Sequence, residues 1–407
     1  MRQYFVIAFA AVLASGGAAL AAGPEPGDQF RVEARDMPRP YATDSVSNSG
    51  RRIGRPEGAT LRVPPGFRAA LYVAALGHPR WLAVASNGDV FVAESNLGRI
   101  TVLRDTQGQG TADLVGTFAQ GFSRPHGMAF HGQFFYVADT RRVWRIPYEA
   151  GDVAARGPAE PVTAEGALGD GGGHWTRNIA IEPGGAGFVV AIGSRGNIAE
   201  EPLPRASIQR FALDGTGQRT VASGLRNPVG IAFHPTTGML YSVINERDGM
   251  GDGLVPDFLT SVVEGGFYGW PYAYIGAHPD PRYGDKRPDL VRATRVPEVL
   301  FVSHSAPIGL AFYDGAMFPP QYRGHAFVAL QGSWNSAKPA GYFVAHVPFE
   351  GGRPTGGYRA FATGFWTAGT TTAEIIGQPA GLAVAKDGAL LIADDTGRAV
   401  WRVDYRH

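Results

Sequence analysis

One six-residue pattern recurs six times in this chain, and a repeat of strand-sized units restricts the fold to stacked copies of one small module. The pattern is a turn residue, usually Pro, then a variable residue, a small residue, and three apolar or small residues. It reads Pro79-Arg80-Trp81-Leu82-Ala83-Val84, Pro125-His126-Gly127-Met128-Ala129-Phe130 and Thr176-Arg177-Asn178-Ile179-Ala180-Ile181. It continues as Pro228-Val229-Gly230-Ile231-Ala232-Phe233, Pro307-Ile308-Gly309-Leu310-Ala311-Phe312 and Pro379-Ala380-Gly381-Leu382-Ala383-Val384. After each copy a Gly or Asp turn leads to a second apolar run: 90–93, 135–138, 188–192, 240–244, 326–330 and 390–393. Two short apolar runs across a turn are a hairpin. Copies open at 79, 125, 176, 228, 307 and 379, so the spacings are 46, 51, 52, 79 and 72. The first three suit four-stranded units, and the longer two leave room for insertions. Small residues suit inner strands that crowd around an axis. The prediction is an all-β, six-bladed β-propeller with four-stranded antiparallel blades. The stretch 62–74 is strand-like and is expected to close the ring against 400–405. A two-sheet sandwich is the competing architecture, but it rarely needs so long an in-register repeat.

Composition agrees. Gly and Pro number 57 and 30 of 407 residues, about 21% together against roughly 12% in an average protein. Helix interiors tolerate neither residue well. There are 37 Lys and Arg against 36 Asp and Glu, a net charge of +1, which argues against a nucleic-acid footprint. The chain has no cysteine, which excludes disulfides, thiolate metal sites and a cysteine nucleophile.

Residues 1–22 read as a secretory signal peptide. Arg2 supplies the positive start, Tyr4 to Leu13 the apolar stretch, and Ala19-Leu20-Ala21 the small-x-small cleavage site near Ala21 or Ala22. The apolar run is too short to span a bilayer, and no later segment is long and apolar enough to serve as an integral membrane segment. The expected product is a periplasmic or secreted protein. Residues 23–58, polar and rich in Pro and Gly, are expected to form an irregular arm, leaving 59–407 as the propeller domain.

In such a blade the start of the inner strand and the end of the second strand lie on one face. The variable position of the repeat gives Arg80, His126 and Arg177 from consecutive copies, then the apolar Val229, Ile308 and Ala380. The second runs end in polar groups: Glu94-Ser95-Asn96, Asp139-Thr140, Ser194-Arg195-Gly196-Asn197, Asn245-Glu246-Arg247-Asp248, Gln331-Gly332-Ser333-Trp334-Asn335 with Lys338 behind, and Asp394-Asp395. Several Arg and a Lys at one mouth suit a multiply anionic ligand, because guanidinium clamps carboxylates. The strongest local signal is Gly171-Gly172-Gly173-His174-Trp175-Thr176-Arg177-Asn178, where His174 stands at the mouth as a candidate general base. His126 is a second candidate. His234, His278, His304, His325 and His346 read as structural, and no His pair has the spacing of a zinc helix.

These residues resemble the soluble-type quinoprotein sugar dehydrogenases, which depend on pyrroloquinoline quinone (PQQ), especially the sorbosone dehydrogenase-like branch. The resemblance runs from about Thr60 to the C-terminus. It is carried by Gly172-Gly173-His174-Trp175-Thr176-Arg177-Asn178, Gly193-Ser194-Arg195-Gly196-Asn197 and Gly224-Leu225-Arg226-Asn227-Pro228-Val229-Gly230, with Asn245-Glu246-Arg247-Asp248 followed by Gly265-Gly266-Phe267-Tyr268-Gly269-Trp270-Pro271. It implies a six-bladed propeller that holds PQQ and Ca²⁺ at one channel mouth and oxidises an aldose or related sugar. It implies His174 as base, with Arg195 and Asn197 at the quinone carbonyls. Ca²⁺ would sit at Asp248 and Gly249, held largely by backbone carbonyls. Arg80 and Lys338 are the candidates for the cofactor carboxylates, and His126, Arg177, Ser194, Arg247 and Gln378 complete the expected cofactor wall. Electrons would pass to an exported acceptor, a quinone or a cytochrome. The chain departs from glucose-oxidising relatives at Gln378 and Ala380, where they carry arginines, and at Gly173, where they carry an acid. Two other readings stay open. One is a Ca²⁺-dependent propeller lactonase built on Glu94, Asn197 and Asp394; the other is a non-catalytic binding propeller.

Overall fold

The computed structural model describes residues 23–406, so the expected signal peptide lies outside the described residues. Each repeat copy opens one antiparallel sheet. The first sheet runs Pro79–Val84, Val90–Glu94, Arg99–Arg104, Leu114–Gln120, and the second Met128–His131, Phe134–Ala138, Val143–Pro147, Glu160–Pro161. The third runs Arg177–Ile181, Gly187–Ile192, Ser207–Ala212, Arg219–Ser223, with Gly266–Phe267 added in parallel at its edge. The fourth is Asn227–Phe233, Leu240–Asn245, Phe258–Ser261, Val299–Leu300. The fifth is Pro307–Phe312, Ala326–Leu330, Phe343–Val347, Tyr358–Ala362, extended by Gln29–Phe30. The sixth joins the two ends of the chain: Pro379–Val384, Leu390–Asp394 and Ala399–Tyr405 take Phe67–Val73 as their outer strand, with Phe67 opposite Tyr405. The fold is nearly all-β and propeller-like; among the described residues the α-helical segment is Pro288–Ala293. No helix there is long and apolar enough to cross a membrane.

The small residues of the repeat are explained by their neighbours. A Cβ on Gly127 would lie 2.4 Å from the Ile179 nitrogen of the third sheet, and one on Gly309 would lie 2.0 Å from the Ala380 carbonyl of the sixth. Gly230 meets Leu310 and Gly381 meets Trp81 in the same way. Where the repeat departs from a small residue, the side chain itself reaches the next sheet. Asn178 donates to the Val229 carbonyl at 3.0 Å, and the Trp81 ring packs 5.0 Å from His126. Each first strand therefore touches the next, and the sixth touches the first. Between the sheets lie packed apolar clusters such as Phe91, Phe118, Phe135 and Tyr148. The long spacing after the fourth copy houses the helix and a small Ala273–Tyr274/His278–Pro279 ribbon; the one after the fifth houses Trp366–Ala368 and Glu374–Ile375.

Residues 23–58 follow an irregular path with short pairings. Arg51–Arg52 runs parallel to Glu374–Ile375. Tyr41 N donates to Met250 O, Asn48 N to Trp334 O, and Arg51 N to Ala373 O, each at 2.7 Å. The arm thus crosses loops of the fourth, fifth and sixth sheets in turn.

Candidate active site

The ends of the second strands divide the sheets into two groups. In the sixth, first and second sheets an acid closes the end. Glu94 binds Gly77 N, Arg99 and Thr101; Asp139 accepts from Ser123 N, Arg141 N and Arg142 N at 2.8–3.0 Å; Asp394 accepts from Gln378 N, Gly397 N and Trp401 Nε1 at 2.8–3.0 Å. Each acid ties its own loops together and offers nothing outward. In the third, fourth and fifth sheets the loops open instead, and a cavity of about 440 Å³ lies among them. His174 enters from the third sheet, Arg226, Asn227, Asn245, Glu246, Asp248 and Asp257 from the fourth, His304 and Gln331 to Asn335 from the fifth, Gln378 from the sixth, and Ser49 and Gly50 from the arm.

The geometry fixes the tautomer of His174. Its Nδ1 lies 2.9 Å from the Ser194 carbonyl, which can only accept, so Nδ1 carries the hydrogen. Ser194 Oγ is also 2.9 Å from Nδ1 and donates its own proton to the Gly196 carbonyl at 2.7 Å. Nε2 is left as an unprotonated nitrogen with no hydrogen-bond partner among the described residues. Burial, then the nearby Arg226 guanidinium, pulls the His174 pKa from 6.5 to about 4, so the ring is neutral at ordinary pH. The Gly loop is needed for this seat: a Cβ on Gly173, at φ +64°, would lie 2.0 Å from the Arg195 carbonyl.

Opposite stands an acidic wall. Glu246 accepts from Arg247 N through Oε2, but its buried Oε1 has no partner. Burial raises its pKa to about 7, and that of Asp257 to about 6. Asp257 receives Glu246 N at 2.8 Å and Ala306 N at 2.9 Å. For Asp248, burial is outweighed by contacts with His304, Arg226 and Asn335, and its pKa falls. For His304, burial is outweighed by Asp248 and Asp257, and its pKa rises. Asn227 Oδ1 is a further buried polar atom without a partner.

Several expected residues sit elsewhere. Arg177 is fully buried and donates to the carbonyls of Leu168, Asp170, His174 and Thr176 at 2.9–3.1 Å, so it supports the glycine loop and does not face the cavity. His126 is buried between Trp81 and Trp175, and burial drives its pKa well down. Arg80 pairs with Asp395 at 2.5 Å and lies over the Trp175 ring. Arg247 is consumed by a buried pair with Asp280. Arg195, 69% exposed, pairs with Asp170 at 3.2 Å beside a separate pocket. Asn197 accepts from Arg226 and Asp248 N, and its Nδ2 donates to Asp248 O at 2.8 Å, which shapes the 245–249 loop. Lys338 is exposed, and neither it nor Gly249 lines the cavity. His174, Asp248 and Gln378 are brought together there, with Ser194 directly behind His174. Glu94 and Asp394 are spent on their own sheets, so the lactonase set does not converge. The surplus of arginine is structural here, and the cavity guanidinium is Arg226. His304, read as structural from sequence, lines the cavity; its place three residues before the fifth repeat copy, close to where His174 precedes the third, was the signal.

Comparison with known proteins places this geometry. The TrAA12-like family model matches residues 61–255 and 286–406, most of the chain. The chain belongs to the TrAA12-like family. A pyrroloquinoline quinone-dependent pyranose dehydrogenase of Coprinopsis cinerea is 26% identical over 337 residues, 71% of this TrAA12-like chain and 45% of that protein, so the chain spans about half its length. An uncharacterised protein of Borreliella burgdorferi is 25% identical over 358 residues, 85% of this chain and 91% of that one. The holo pyranose dehydrogenase PQQ domain from Coprinopsis cinerea superposes with a TM-score of 0.73 at 21% identity, covering 87% of this chain and 98% of that one. The calcium structure of the Trichoderma reesei family AA12 enzyme gives 0.71 at 18% identity, over 85% and 97%. These two structures share the fold of this TrAA12-like chain.

Proposed function

We propose that this TrAA12-like protein is a PQQ-dependent oxidoreductase of pyranose or related aldose sugars, with His174 Nε2 as the general base. The observation that carries the proposal is the Ser194 carbonyl on Nδ1, which leaves a neutral imidazole with its basic nitrogen free at a polar cavity. Family membership and the named activity of the Coprinopsis cinerea relative support the cofactor. The cavity fits such a cofactor. Buried Asn227 Oδ1 and Glu246 Oε1 each cost about 1–3 kcal/mol while unpaired, so the pocket is shaped for a polar occupant. Arg226 Nη1 and Gln378 Nε2, each with one hydrogen beyond its bond to Asn245 O or Gln331 O, would meet the cofactor carboxylates. Glu246 Oε1, an unpaired hard oxygen, is the group that would meet Ca²⁺, because Asp248 already holds Arg226 and Asn335. When bound, PQQ supplies the hydride acceptor and Ca²⁺ the Lewis acid at its carbonyl.

His174 Nε2 takes the proton of the sugar hydroxyl as the C–H bond at the same carbon breaks. Ser194 holds the ring in the required tautomer throughout, and the imidazolium formed is stabilised through Nδ1–H. The same reading takes the six sheets as a closed six-bladed ring over 59–407, entered by an arm at 23–58 and exported by a signal at 1–22, with electrons leaving to a quinone or cytochrome. The test is reconstitution with PQQ, with and without Ca²⁺, and a dye-linked assay over a panel of pyranoses. Turnover of at least one sugar that requires PQQ is expected. No PQQ binding, or binding without oxidation of any sugar, would remove the reading.

A further inference from the structure

The arm strand Arg51–Arg52 walls more than one space. Gly50 and Ile375 face the cavity already described, whereas Arg52, Ile53, Gly54, Arg55, Ile376 and Gly397 line a separate cleft of about 330 Å³. Arg51 is taken by Glu374. Arg52 and Arg55 are not: among the described residues neither side chain makes a hydrogen bond or ion pair. Arg55 is held in place by lying over the Trp401 ring, 5.5 Å from its centroid, and its Nη1 is buried with no acceptor. Asp394, whose carboxylate feels the Arg55 charge, has its oxygens bound to Gln378 N, Gly397 N and Trp401 Nε1. No acid lines the cleft. Two arginines three residues apart, unpaired and lining one cleft with no acid beside them, suit a planar or tetrahedral oxyanion.

We propose that Arg52 and Arg55 form a binding site for a phosphate-class oxyanion, either free phosphate or the phosphoryl group of a sugar phosphate, separate from the catalytic cavity. The site begins two residues beyond Gly50 in the same arm segment, so its occupant would also brace the cavity wall.

The experiment is thermal unfolding of the full protein titrated with inorganic phosphate or glucose 6-phosphate, against sodium chloride at matched ionic strength. A melting temperature that rises with phosphate beyond the chloride control is expected. The apparent Kd should weaken at least tenfold in Arg55→Gln and in Arg52→Gln, with PQQ affinity unchanged in both. Arg52 is exposed and Arg52→Gln will fold even if Arg55→Gln is weakened by losing its contact with Trp401. Stabilisation by phosphate alone identifies the free ion, and stabilisation by both ligands identifies the phosphoryl group. No rise beyond chloride, or an equal rise in the Arg52→Gln protein, overturns the proposal.

Discussion

At the scale of single residues, His174 and Arg177 are three positions apart and do opposite work. His174 presents a free nitrogen to the cavity, so His174→Ala should lower turnover roughly 100- to 10,000-fold while PQQ affinity persists. Turnover within a fewfold of wild type would remove His174 as the base. Its pKa of about 4 also sets a pH dependence. The working form is the neutral one, present above that value, so at saturating Ca²⁺, which would keep Glu246 ionised, kcat/KM should stay flat as pH falls through 6.5 and decline only as pH approaches about 4. An acid limb centred near 6.5 would contradict the buried environment described. Arg177 instead donates to four carbonyls, those of Leu168 and Thr176 on buried residues. Arg177→Ala should cost on the order of 3 kcal/mol or more, read by chemical denaturation, because those carbonyls lose their donors. Lysine should not rescue it, since an ammonium lacks the fork. Sequence could name both residues but not tell them apart: a charge pattern records where a side chain starts, and partners one to twenty residues away decide where its donors go. The same limit explains Arg80, Arg195 and Arg247, whose acidic partners lie far along the chain or across a loop.

At the scale of elements, the strands were legible and the arm was not. Hairpin runs such as 90–93 and 326–330 became Val90–Glu94 and Ala326–Leu330 because unbroken apolar runs bounded by turn residues are local signals. The arm carries little periodicity, and its bonds are to loops some 200 to 320 residues away. Asn48 is its clasp. The amide donates to Ser336 O at 2.9 Å and Thr371 O at 2.7 Å, and Oδ1 accepts from Thr372 Oγ1 at 2.8 Å, joining loops of the fifth and sixth sheets beside Trp334. Trp334 is 53% exposed at the cavity rim, and its carbonyl is held by Asn48 N. Each bond contributes about 0.5–1.5 kcal/mol. Asn48→Ala should therefore raise KM for sugar or the Kd for PQQ several-fold with kcat little changed. Equal loss in kcat would mean that the clasp acts on His174 and not on the rim.

At the scale of the whole molecule, stability depends on a junction between distant ends. Phe67–Val73 covers Ala399–Tyr405 and helps to bury Trp401, which is 1% exposed. Removing residues 1–74 should leave an open strand edge and abolish the cooperative thermal transition; a truncated protein that melts cooperatively at the wild-type temperature would show that the junction is dispensable.

That junction also imposes an order in time. A ribosome makes the strand at 67–73 well before its partner at 399–405, a gap of roughly 20–60 s at ordinary rates of synthesis. Throughout that interval the early strand waits with an unpaired edge while five sheets can already assemble behind it. A nascent chain of this kind can complete its sixth sheet only once 399–405 has left the ribosome, so a factor that shields 67–73 during synthesis would raise the yield of native protein, and slowing synthesis between the two strands would lower it.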